Sequence, residues 1–156
     1  MMLKSLIALT CLLALAYYAA TPASAATCTY EILVKTGDRN NAGTDSRISL
    51  LVSGRTGPAL DIPSLKAWGG QQSRNYFERG HLDTFRGTGP CITVTPCRMQ
   101  LTSSGTGNKP GWYVSYVQVN LVRQLAPDTV LRRWNLEQWL APPRPLSAVR
   151  NDCSFP

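Results

Sequence analysis

The stretch WYVSYVQVNLV, residues 112–122, alternates Val117, Val119 and Leu121 against Tyr116, Gln118 and Asn120. Period-two alternation sends one set to each face of an extended chain, and the β-branched and aromatic content suits a strand with neighbours on both sides. It is the strongest strand signal in the sequence and predicts a central strand. Before it, residues 29–35 set Tyr30, Ile32 and Val34 against Glu31, Leu33 and Lys35, and residues 46–53 set Ile48, Leu50 and Val52 against Ser49, Leu51 and Ser53. Residues 59–65 are extended up to a break at Pro63, and Met99, Leu101 and Thr102 begin another short strand. After it, residues 132–140 alternate through Trp134, Leu136, Gln138 and Leu140, while Leu136, Trp139 and Leu140 also fit helical spacing; a strand is expected here. Short strands between turn signals, with no long amphipathic helix, are the pattern of an antiparallel sandwich or barrel.

The segments between the strands differ in chemistry. Residues 38–45, DRNNAGTD, carry turn formers at nearly every position and no apolar side chain larger than alanine, which makes a loop rich in oxygen atoms. Residues 87–97 hold glycine, proline and two cysteines and read as a stapled loop, and residues 103–111 turn hard on three glycines and a proline. Residues 66–86, KAWGGQQSRNYFERGHLDTFR, are too aromatic for a spacer and too broken for a helix, so they read as a short β element framed by loops. Tyr76, Phe77 and Phe85 suit core anchors. Trp68, set before Gly69 and Gly70, suits a loop tip where a half-wet indole meets a membrane interface or a partner groove.

A chain of 156 residues allows one domain of ordinary size. Residues 1–25 have a positive start at Lys4, an apolar run from Leu6 to Ala16 and a small-residue site at Ala23-Ser24-Ala25, so they are expected to be a cleaved signal peptide. The sandwich domain is then expected over residues 26–141, with residues 142–156 a proline-rich tail tied back by Cys153. Losing Lys4 lowers the formal charge from +7 to +6, and losing Cys11 leaves four of the five cysteines. In a secreted chain these form two disulfides, and of three possible pairings Cys28–Cys153 and Cys91–Cys97 are expected. Zinc is excluded by the absence of any C-x-x-C pair. The arginines are scattered, with only Arg132 and Arg133 adjacent, so no nucleic-acid arm is present; an anionic lipid, an acidic polymer or an acidic protein is the fitting partner class.

Several motifs in one order resemble the PLAT/LH2 domain, and more narrowly the small plant stress-related PLAT proteins with a single such domain behind a signal peptide. They are AGTDS at 42–46, WGG at 68–70, NYFERG at 75–80 with Leu82, Asp83 and Phe85, GWYVSYVQV at 111–119, EQWL at 137–140 and AVRN at 148–151. The similarity runs from Cys28 to Cys153. It implies a β-sandwich of two four-stranded antiparallel sheets, related to the amino-terminal domain of lipoxygenases, that binds membrane lipid or a protein rather than performing chemistry. It also implies residence in the secretory pathway, in the endoplasmic reticulum or outside the cell, and a part in plant stress responses.

Members of that family bind calcium in loops at one end of the sandwich, and the loop chemistry here is competent. Asp38, Asn40, Asn41, the Gly43 carbonyl, Thr44 and Asp45 offer the oxygens calcium takes, with Glu78 and Asp83 to close the shell if the two loops meet. The other reading is that Thr44 and Asp45 cap a tight turn through side-chain to backbone bonds. The loop is not an EF-hand, since Ala42 and Ser49 fall where ligands are required. Catalysis is not expected: a single histidine, His81, cannot build a lipoxygenase iron centre, and no nucleophile elbow, H-E-x-x-H or P-loop occurs. The expectation is a monomeric, non-catalytic module that docks on lipid or protein with calcium and Trp68 assisting. The alternative is a secreted protein- or glycan-binding module independent of both.

Overall fold

The computed structural model describes residues 26–71 and 73–153; the expected signal peptide lies outside them. Eight strands form two four-stranded antiparallel sheets. The strands are β1 (Thr27–Thr36), β2 (Ile48–Ser53), β3 (Ala59–Ile62), β4 (Leu82–Pro90), β5 (Arg98–Ser103), β6 (Trp112–Leu121), β7 (Thr129–Leu140) and β8 (Ser147–Asn151), and one short helix, α1 (Leu65–Gly69), falls between β3 and β4. One sheet runs β4-β1-β6-β7 and the other β3-β2-β5-β8. The expected sandwich is thus present, and β6 lies inside its sheet between β1 and β7.

The inward residues of both sheets make one core. Ile32 and Val34 from β1, Leu50 and Val52 from β2, Met99 and Leu101 from β5 and Val117 and Val119 from β6 are all buried. Tyr76, Phe77 and Phe85 take the expected core positions, and Phe77 and Phe85 stack at 5.5 Å between centroids, with Trp112 edge-on to Phe77 at 5.3 Å. The Trp112 indole donates to the buried Thr36 hydroxyl at 3.0 Å, so its one polar atom is satisfied inside the core.

Several expectations are corrected. The disulfides are Cys28–Cys91 and Cys97–Cys153, not Cys28–Cys153 and Cys91–Cys97. Strand register explains this: β1 and β4 pair with Thr27 opposite Pro90, which sets Cys91 beside Cys28, and β5 and β8 pair with Arg98 opposite Asn151, which sets Cys97 beside Cys153. Residues 87–90, expected in a loop, extend β4, because their glycines serve close approach rather than turning. A Cβ on Gly87 would stand 2.6 Å from the Trp68 ring, and one on Gly89 2.5 Å from the Leu60 side chain. The tail contributes β8, an edge strand, once Pro142, Pro143 and Pro145 are passed. Residues 65–69 form a single helical turn capped by the Ser64 hydroxyl, too short to leave a periodic signal.

Trp68 therefore sits on that helical turn, not at a loop tip. It is partly buried, lies over Gly87 and donates from Nε1 to the Thr88 carbonyl at 3.0 Å, so it covers the end of β4. Trp68→Ala is expected to lower stability by about 2 kcal/mol, as truncation of a partly buried aromatic does. Urea denaturation checks this, and an unchanged midpoint would show that the indole supports nothing beneath it.

Candidate functional site

One end of the sandwich gathers the loops 37–47, 77–81 and 104–111, and it is there that most of the residues singled out in the sequence meet. The turn at Phe77 sets the geometry. Phe77 has a left-handed backbone, φ 64°, a conformation costly for a bulky residue and kept only where the surroundings enforce it. Its N–H donates to Asp83 Oδ2 at 2.7 Å, its carbonyl accepts from the Thr44 N–H at 3.1 Å, and its ring is locked in the aromatic cluster. Gly43 lies against this turn, where a Cβ would come within 3.1 Å of the Phe77 carbonyl.

The Gly43-Thr44-Asp45 motif is consumed largely by architecture. Thr44 is buried; its hydroxyl donates to the Lys109 carbonyl at 2.6 Å and accepts from the Ser46 N–H at 3.1 Å, the turn-capping role set beside calcium binding above. The Ala42 carbonyl accepts from the Tyr113 N–H at 3.0 Å, which ties the loop to the start of β6. Asp83 is fully buried: one carboxylate oxygen holds the Phe77 turn, and the other, without a hydrogen bond, faces Arg74 Nη2 at 3.6 Å. Glu78 accepts from the Asn75 amide at 2.7 Å. Arg79 crosses between the loops, donating from Nε to Asp38 Oδ1 at 2.6 Å and from Nη1 to Asn40 Oδ1 at 2.9 Å.

Beneath this crossing opens a cleft of about 720 Å³. Asn40, Asn41 and Gly43 line one side, Glu78 and Arg79 another, and Lys109, Pro110, Gly111 and Trp139 the rest. Trp139 is half-buried and meets Tyr113 edge-on at 5.4 Å between centroids, while the Arg39 guanidinium lies 4.3 Å above the Tyr113 ring. Of the calcium candidates, the structure brings Asn40, Asn41, Gly43 and Glu78 to the cleft, pairs Asp38 with Arg79, leaves Asp45 exposed and buries Thr44 and Asp83. Among the described residues no group of three or more His, Cys, Asp or Glu side chains is placed to hold a metal ion, so the carboxylates here are not gathered as a calcium shell takes them.

Trp139 and Lys109 were not singled out from the sequence as site residues. Lys109 lies in a glycine-proline loop with no pattern of its own. Trp139 follows an irregularity: the register between β6 and β7 shifts between Val114 and Tyr116, opposite Glu137 with φ 46°, so a residue beyond the bulge changes its surroundings. The strand expected at 132–140 is present as part of β7. His81 is exposed, and its backbone accepts from the Thr36 N–H at 3.0 Å; with Asp83 buried under Phe77, the two do not form a catalytic pair.

Comparison with known proteins places this geometry. A family profile for embryo-specific protein 3 (ATS3) matches residues 16–131. PLAT domain-containing protein 2 of Arabidopsis thaliana is 44% identical over 133 residues, covering 82% of this chain and 72% of that one. PLAT domain-containing protein 1 of the same plant is 41% identical over 131 residues, with 81% and 72% covered. Among solved structures, coral 8R-lipoxygenase, for which calcium activation via a C2-like domain is described, superposes with a TM-score of 0.59 at 24% identity, covering 79% of this chain and 16% of the enzyme. That likeness shows a shared fold with a small part of a much longer protein. The chain belongs to the PLAT domain-containing proteins, within the embryo-specific protein 3 family.

Proposed function

We propose that this chain is a non-catalytic docking module of the secretory pathway, which binds anionic membrane lipid, or an acidic protein partner, through the loop pole. The observation that carries the reading is the cleft itself: a half-buried indole, Trp139, beside Lys109, whose ammonium has no partner among the described residues, with the amides of Asn40 and Asn41 opposite. An aromatic surface with a cation at its edge suits an anionic head group or an acidic side chain. The formal charge of +6 left after loss of Lys4 supplies attraction at longer range. Two disulfides support an oxidising compartment, the endoplasmic reticulum or the cell exterior, and the Arabidopsis relatives support a role in a plant, which we take to be a stress response. No helix of the described residues is long and apolar enough to cross a membrane, so contact with lipid is read as peripheral.

Sedimentation with vesicles tests this. Vesicles containing phosphatidylserine are expected to carry down the protein at low salt while pure phosphatidylcholine does not, and Lys109→Gln is expected to lower partitioning about five-fold, near the contribution of one basic residue at an anionic surface. No bound fraction on either lipid removes the membrane reading. The second reading, a secreted protein- or glycan-binding module, is favoured by the solvent face of the β4-β1-β6-β7 sheet. There Arg133 stacks on Tyr116 at 3.6 Å, and Gln118, Asn120 and Glu31 form a hydrogen-bonded row, a flat array of planar polar groups. Calcium, expected from the loop composition and described for the lipoxygenase domain, enters as an assistant to docking only if titration shows it.

A further inference from the structure

We propose that Arg79 occupies, between the two loops of this pole, the place a divalent cation would take, so that the pole is held in its docking shape without calcium. The residue belongs to the NYFERG motif and sits directly after Glu78. Its planar fork reaches Asp38 Oδ1 and Asn40 Oδ1 at 2.6 and 2.9 Å, a carboxylate and an amide oxygen of the kind a hard cation selects.

Three further oxygens of the candidate set already have partners, while Asp45 stays exposed. Glu78 Oε1 holds the Asn75 amide, Asp83 Oδ2 holds the Phe77 N–H inside the core, and the Thr44 hydroxyl is bonded on both sides. Calcium asks for six to eight oxygens, several of them anionic; to assemble them here it must first displace a guanidinium and then tolerate it nearby. The surrounding charge does not help. Beside Asp38, Asp45 and Glu78 the pole carries Lys35, whose ammonium donates to the Gly80 carbonyl, and Arg39, Arg79 and Lys109, so it has no net negative charge to concentrate a cation. In a calcium-bridged domain the ion joins loop to head group. Here the anionic group meets Lys109 directly, and docking is constitutive rather than gated by calcium.

The inference concerns the pole of the proposed docking function but is tested apart from it. Thermal unfolding of the secreted chain is followed in EDTA and in 1 mM calcium. The wild type is expected to shift by less than about 0.5 °C, whereas a native-state site ten-fold above its dissociation constant raises the midpoint by about 4 °C, which overturns the proposal. Arg79→Gln is expected to lower the midpoint by about 2 °C and to speed amide exchange over residues 38–45, because the crossing is lost. Unchanged exchange in that variant also overturns it. Phosphatidylserine vesicles then separate the two ideas: equal binding in EDTA and in calcium supports constitutive docking, and binding only in calcium overturns it. If the vesicles bind nothing, the docking reading fails while Arg79 is judged on the thermal and exchange results.

Discussion

Trp112→Ala is expected to lower the unfolding free energy by about 4 kcal/mol, the usual cost of emptying a fully buried aromatic site. At about 3 °C per kcal/mol for a domain of this size, the midpoint falls by about 12 °C. Trp112 touches Phe77, which carries the strained turn, and bonds Thr36 at the end of β1, so the cavity opens directly beneath the loop pole. Trp112→Phe separates the two contributions. It keeps most of the volume but strands the buried Thr36 hydroxyl, a loss of about 1 to 2 kcal/mol. Calorimetry on both variants checks the order. Equal loss in the two would place the whole effect in the hydrogen bond and none in packing.

The second large effect lies at the opposite end of the sandwich. Cys97→Ala is expected to remove about 4 kcal/mol, since the disulfide to Cys153 closes a sequence separation of 56 residues and chain-entropy reasoning assigns roughly that stabilisation to such a loop. The Cys28–Cys91 bridge, at a separation of 63, is expected to contribute similarly. The effects differ in kind, however. Loss of Cys97–Cys153 frees β8, an edge strand paired only to β5, so its amides exchange early; loss of Cys28–Cys91 leaves β4 still paired along nine residues of β1. Protease digestion without reduction checks the connectivity. A peptide joining Cys91 to Cys97 would refute the register argument, whatever the stability data show.

The two ends of the molecule thus divide the work. Covalent bonds hold the end where β1 and β8 would otherwise fray. The loop pole has no such staple; it depends on Phe77, Asp83, Thr44 and Arg79 to hold three loops against one another. A binding surface built on loops needs that support from a rigid scaffold.

Much of this was legible in the chain itself. Alternation in residues 29–35, 46–53 and 112–122 determined three strands and their inward faces, because side chains of a strand must point alternately to core and solvent. The aromatic residues at 76, 77 and 85 announced their burial by size alone. Adjacency between distant segments came instead from how the sheets assemble. Which cysteine meets which follows from strand register, which no spacing encodes. Gly87 and Gly89 read as turn formers until the Trp68 ring and Leu60 were seen to need their missing side chains. The oxygens of residues 38–45 looked free for a metal because Arg79 is about forty positions away in sequence. Composition shows which groups a loop offers. The fold decides which of them are already taken, since a hydrogen bond or ion pair depends on ångströms in space rather than on distance along the chain.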